Sequence, residues 1–167
     1  MKTAIVYYSL EGNTEYAAKE LASKLKADLY KLEPEKAYKT GRVTKFIWGG
    51  KSAVFGDEPK LKPFHFEVSD YDLIILGTPI WAGTFVPPIR SFFKEHDLRN
   101  SKLAVMTSSL GGAGKCISKL EKEIGTTNII ATLDLIEPLA HPKKENEEKI
   151  QVFLHQIMTT QQVEQSI

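Results

Sequence analysis

Short apolar runs alternate with stretches of helical period along this chain. Ala4-Ile5-Val6-Tyr7-Tyr8 is an unbroken apolar run, the pattern of a strand covered on both faces. Asn13 and Thr14 then supply N-cap chemistry, and Ala17, Ala18, Leu21 and Leu25 recur at helical spacing to about Lys26. Asp28–Leu32 alternates and predicts a second strand, ended by Glu33-Pro34. Leu73–Gly77, Leu103–Thr107 and Asn128–Leu133 predict three more. Pro87-Pro88 opens a helix bearing Ile89, Phe92 and Phe93, because proline suits a first helical turn. Another helix holds Ile117, Leu120 and Ile124, with Gly125 in place as its C-terminal cap. The last begins near Pro142 and spaces Ile150, Phe153, Leu154 and Ile157 along one face. The polar stretch 159–167 is expected to fray.

Five strands alternating with helices predict an α/β domain: a parallel five-stranded sheet between two helical layers, spanning residues 1–158, with 159–167 as a polar tail. Ligands of such sheets bind beyond the carboxyl ends of the strands. The loops there carry the candidate chemistry.

Composition narrows the function. A chain of 167 residues, 42% hydrophobic and 26% charged, is expected to be one globular domain and not a disordered, collagenous or membrane-spanning chain. A net charge of +1 gives no overall field to attract nucleic acid or anionic lipid. The lone Cys116 cannot form an internal disulfide or a cysteine-based metal site. Its place in a helix's first turn would lower its pKa, although a buried apolar role is the commoner outcome. His65, His96, His141 and His155 show no metal-ligand spacing. The N-terminal run has no basic leader, so a cytoplasmic location is expected.

The first loop, Ser9-Leu10-Glu11-Gly12-Asn13-Thr14, combines hydroxyls, an amide and the N–H groups of a helix start. It can hold an anion with neutral donors, or Asn13 and Thr14 can simply cap the helix. In the second loop, Thr78-Pro79-Ile80-Trp81-Ala82-Gly83-Thr84, Trp81 either offers a flat apolar face to a planar ligand or packs under the loop. The third, Ser108-Ser109-Leu110-Gly111-Gly112-Ala113-Gly114, lets backbone approach a ligand closely or is a plain flexible connection. It is neither a nucleotide P-loop nor a dinucleotide fingerprint. In the strand order 2-1-3-4-5 these three loops meet at one edge.

With these loops the chain resembles the flavodoxin-like family, whose cofactor is FMN. The resemblance runs from Met1 to about Met158 and is carried by Gly12-Asn13-Thr14 and by Tyr71 through Trp81. It implies that Ser9, Glu11 (through its backbone), Gly12, Asn13 and Thr14 surround the FMN phosphate. Thr78, Pro79, Ile80, Trp81, Ala82 and Gly83 would line the ring, with Trp81 stacked on it. Ser108, Ser109, Leu110, Gly111 and Gly112 would meet its other side. It further implies that the Ala82–Gly83 stretch turns a carbonyl toward the reduced ring, with Gly83 tolerating both peptide orientations. The chain departs from family habit in its near-neutral charge, in Glu11, and in a third loop without the aromatic and acidic residues common there.

Two functions follow. One is an electron carrier between redox proteins, as monomer or homodimer, with no nucleic-acid or membrane partner. The other is an NAD(P)H-dependent FMN or quinone reductase passing electrons to a small molecule. A phosphoacceptor signalling domain of the same topology would need acids after the first strand, where Tyr7-Tyr8-Ser9 has none. Between the second and third strands lies a long segment, Pro34 to Ser69. It carries Tyr38, Phe46, Trp48, Phe55, Phe64 and Phe66, with Lys36, Lys39, Arg42, Lys45, Lys51, Lys60 and Lys62 facing only Asp57 and Glu58 between Lys36 and Lys62. It reads as a crossover with aromatics packed on the sheet, or as a lid bending at Trp48-Gly49-Gly50-Lys51.

Overall fold

A computed structural model of the chain describes residues 1–38, 56–140 and 143–164. Phe46, Trp48, Phe55, the four cations Lys39, Arg42, Lys45 and Lys51, the lid reading of that stretch, and His141 lie outside the described residues.

The strands are β1 (Thr3–Tyr7), β2 (Asp28–Lys31), β3 (Leu73–Pro79), β4 (Leu103–Ser109) and β5 (Ile129–Ile136), and the helices are α1 (Asn13–Leu25), α2 (Pro87–Glu95), α3 (Cys116–Ile124) and α4 (Lys143–Glu164). All neighbouring strands pair in parallel, in the order β2-β1-β3-β4-β5. This is the predicted α/β architecture. Its central strands are apolar throughout because both faces are covered. On one face Val6, Leu76 and Val105 pack with Ile89 and Phe92 of α2 and Leu120 of α3. On the other, Ile5, Ile75 and Leu133 pack with Leu21 of α1 and Phe153 of α4.

β3, β4 and β5 end farther along the chain than their apolar runs suggest, whereas β1 and β2 end one residue sooner than predicted, at Tyr7 and Lys31. The ladder continues through Thr78↔Thr107 and Pro79↔Ser108, and through Ser109↔Ile136. Thr78, Pro79, Ser108 and Ser109 are therefore strand termini, not loop residues: the buried hydroxyls of Thr78 and Ser108 are tolerated because each has a hydrogen-bond partner. α4 extends past Met158 to Glu164, since adding residues to an existing helix costs little and glutamine and glutamate favour it.

Gly77 fixes how closely the layers meet. A Cβ there would lie 2.7 Å from Tyr7 Cβ and 2.8 Å from Met106 Cε. Only glycine lets β3 sit between these neighbours while α1 crosses above.

The described ends of the long crossover are anchored. Pro34 bridges Leu61, Ser91 Oγ donates to Pro59 O at 2.7 Å, and Arg90 Nη1 donates to Asp57 O at 3.4 Å. Phe64 and Phe66 pack among Tyr30, Phe92 and His96. Aromatics of this segment thus do pack on the sheet's helical layer.

Candidate functional site at the carboxyl edge of the sheet

The strands end together at one edge, where a cavity of about 540 Å³ opens. Ser9, Leu10, Glu11, Asn13 and Thr14 line one end, Pro79, Ile80, Trp81 and Ala82 a second side, and Ser108, Ser109, Leu110 and Glu137 a third. Three separate loops thus share one space, as the strand order requires.

The first loop is built by Gly12. It sits at the N-cap of α1 with φ +92°, and no side chain caps the helix. The capping role expected of Asn13 or Thr14 is therefore corrected: both belong to the first turn and bond elsewhere. Gly12 N–H donates to Ser9 Oγ at 3.1 Å, which curls the loop into a cradle. Asn13 Oδ1 accepts from Leu139 N at 3.1 Å, so its amide NH₂ is its remaining donor. Thr14 is buried, and its Oγ1 lies 2.7 Å from Ser108 Oγ, tying the first loop to the end of β4. The N–H groups of the first turn have no acceptor within the helix. Among the described residues lining this cavity there is no Lys or Arg, so an anion meets from them neutral donors and the positive end of a helix dipole.

The second loop turns sharply. Thr78 is buried: its Oγ1 donates to Pro79 O at 2.8 Å and accepts from Val86 N at 3.2 Å. It braces the loop from beneath and does not line the cavity. Trp81 both lines the cavity and packs below: its ring meets Tyr8 edge-on at 5.8 Å and Tyr38 at 5.2 Å. Trp81 thus packs under its loop, as one of the two readings has it, while also bordering the cavity. Burial, and then Tyr38, push the Tyr8 hydroxyl's pKa up, so it stays neutral and fit for such packing.

The third loop is held by Asp134 of β5, whose carboxylate accepts from Thr107 Oγ1 at 2.7 Å and from Ala113 N at 3.0 Å. Gly112 N–H donates to Ser109 Oγ at 2.7 Å. Gly12, Gly83, Gly111 and Gly112 shape these loops without lining the cavity. Leu10 and Glu137 line it and were missed. Leu10 lies inside the first loop, and Glu137 follows β5, whose end the sequence pattern places too early.

Cys116 is fully buried, and burial, reinforced by Asp134, pushes its thiol up to about 12. It packs as a small apolar residue; the lowered pKa weighed for it does not occur. Among the described residues no cluster of His, Cys, Asp and Glu could hold a metal, and no helix is long and apolar enough to cross a membrane.

Comparison with known proteins agrees with this geometry. The sequence model of the flavodoxin family matches residues 2–141. No curated protein matches. Among solved structures, the chain is similar to a flavoprotein from Lactobacillus acidophilus in complex with FMN, at 23% identity and TM-score 0.70, over 83% of this chain and 94% of that one. It is also similar to a candidate flavoprotein of Bacteroides uniformis, at 20% identity and TM-score 0.75, over 90% and 97% of the two chains. A flavodoxin from the domain Archaea follows at 14% identity and TM-score 0.57, over 96% and 99%. The chain belongs to the flavodoxin family.

Proposed function

We propose that this flavodoxin binds FMN in the carboxyl-edge cavity and carries electrons between redox proteins. The observation that carries the reading is the donor set. A cradle of first-turn N–H groups and hydroxyls, without a cation among the described lining residues, suits a phosphate monoester. Beside it, Pro79, Ile80 and Trp81 give an apolar wall to a flat ring. FMN is the cofactor of the family and supplies the electron-transfer chemistry when bound.

The chain's own residues would bind, orient and shield it. Ser9, Gly12, Asn13 and Thr14, with the backbone N–H of Glu11, would hold the phosphate end. Thr78, from below, fixes the course of the loop bearing Pro79 to Gly83. Trp81, wedged against Tyr8 and Tyr38, would border the ring and keep water from it. Ser108 to Gly112 would border the opposite side.

A reductase would need room and counter-charge for a second ligand bearing a diphosphate. Among the described residues the cavity lining carries no cation, and the sequence has no recognisable nicotinamide-binding fingerprint, which favours the carrier over the nicotinamide-dependent enzyme. Anaerobic titration of the FMN-loaded protein with NADPH, then NADH, tests this. The expected result is an unchanged visible spectrum, followed by reduction on adding dithionite. Rapid bleaching by either nicotinamide would establish the reductase instead, and failure to take up FMN would remove both readings.

A further inference from the structure

The third loop is poorly suited to hold itself in place. Gly111, Gly112 and Gly114 lose more backbone freedom on folding than any other residue type would. Leu110, its one large apolar side chain, is 65% exposed and gives the loop little grip on the core. Yet Ser108, Ser109 and Leu110 form one side of the cavity. Something outside the loop must fix that side.

The fastening comes from β5. Thr107 and Asp134 are register partners across β4 and β5. Thr107 Oγ1 donates to Asp134 Oδ1 at 2.7 Å, which leaves Oδ2 to accept from Ala113 N at 3.0 Å. A bond to a carboxylate is stronger than one between neutral groups. A Cβ on Gly112 would lie 3.5 Å from the same Oδ2, so the carboxylate sits in ordinary contact with the loop backbone. The next tie along the chain, from Lys115 N to Gly83 O, is longer at 3.3 Å and joins two neutral groups.

We infer that Asp134 is a positioning residue. By holding Ala113 it forms the third side of the cavity before a ligand arrives, and so sets the affinity for the ring of the flavin. The inference rests on the FMN reading above. Asp134 acts through the loop and is not itself among the residues lining the cavity. Without its carboxylate, the loop would have to be ordered at the moment of binding, and affinity would fall by that entropy.

Two variants of the full chain, Asp134→Ala and Asp134→Asn, are compared with wild type by flavin fluorescence quenching, with FMN and with riboflavin as probes. Asp134→Ala is expected to bind both flavins about tenfold more weakly, the scale of one lost hydrogen bond to a charged group. The loss is shared because the loop borders the ring, which both probes carry. Asp134→Asn is expected to stay within about threefold of wild type: the amide oxygen still accepts from Ala113, and the amide nitrogen donates to Thr107 Oγ1, a hydroxyl that takes either role. Thr107 then turns its own proton to Leu133 O, 3.4 Å away. Unchanged binding in Asp134→Ala overturns the inference. So does a loss confined to FMN, which would place the effect at the phosphate end, and so does an Asp134→Asn protein as weak as Asp134→Ala, which would make the charge and not the loop contact decisive.

Amide hydrogen exchange in the flavin-free wild type is a test that needs no variant to fold. The Ala113 amide is expected to exchange at least about tenfold slower than its intrinsic rate, and an unprotected Ala113 overturns the inference. Wild type that takes up neither flavin overturns the FMN reading and this inference with it. Wild type that binds FMN while Asp134→Ala binds it equally well overturns the inference alone, so the two failures are told apart.

Discussion

Trp81 and Gly77 show how single residues set the site. Trp81 is held edge-on by Tyr8 and Tyr38 while lining the cavity. Trp81→Ala is expected to weaken FMN binding by about 1–3 kcal/mol, the range for planar bases stacked on aromatic residues. Quenching of flavin fluorescence on titration measures it, and affinity equal to wild type would take Trp81 out of the binding site. Gly77 acts through space it leaves empty. Gly77→Ala places a Cβ within 3 Å of Tyr7 and Met106, and is expected to cost about 1–3 kcal/mol in urea unfolding, the usual penalty for overpacking. FMN affinity should fall with it, since the strand it displaces leads directly to Thr78 and Pro79. Tyr71–Trp81 was readable from sequence as strand followed by ligand loop. That Trp81 would touch Tyr38 was not, because residues 43 positions apart meet only through the fold.

At the scale of elements, α2 and α3 are clipped together beneath the site. Arg90 of α2 is buried, lies over the Phe85 ring, and donates to Glu123 of α3 through Nε at 2.7 Å and Nη2 at 3.0 Å. Glu123→Ala leaves this guanidinium buried without its carboxylate. Because Glu123 is about a third exposed, water relieves part of the loss, and the expected cost is about 1–3 kcal/mol. A lowered urea midpoint in Glu123→Ala, restored in part by Glu123→Gln, checks it. Helix and strand identities were legible because the periods of 3.6 and 2 report burial directly. Their ends were less so. Polar Thr78, Ser108 and Asp134 look like loop residues in the sequence, yet each sits in the parallel ladder. Glu137 was missed for the same reason.

For the molecule as a whole, acid is the condition that loosens it. Hydrogen bonds from Lys19 and then Lys31 hold Glu15 below the usual carboxylate range. Arg99, by side chain and then backbone N–H, holds Asp97 down at about 2. A carboxylate whose pKa is lower folded than unfolded adds stability that is complete above the unfolded pKa, near 4. That stability is lost as pH falls through the folded value. Stability from these two groups is therefore expected to hold down to about pH 4 and to drain toward pH 2. Urea midpoints across that window check the sign: Glu15→Gln should show a shallower decline than wild type. Added salt should shrink the Asp97 share, because that pair is exposed.

The sequence by itself determined the layered α/β architecture, the strand order and the three loops of the site. Burial on both faces of a parallel sheet imposes unbroken apolar runs, and helix packing imposes its own period, so both are written locally. It also supplied the family, through short loops whose residues are adjacent in the chain. Tertiary structure decided what depends on distant partners. It made Gly12 the helix start and freed Asn13 and Thr14 to reach Leu139 and Ser108. It set Thr78 beneath the loop that borders the cavity, and brought Glu137 to the cavity lining. Hydrogen bonds between residues 94 or 126 positions apart depend on how strands align side by side, a matter of three-dimensional register that no local pattern encodes.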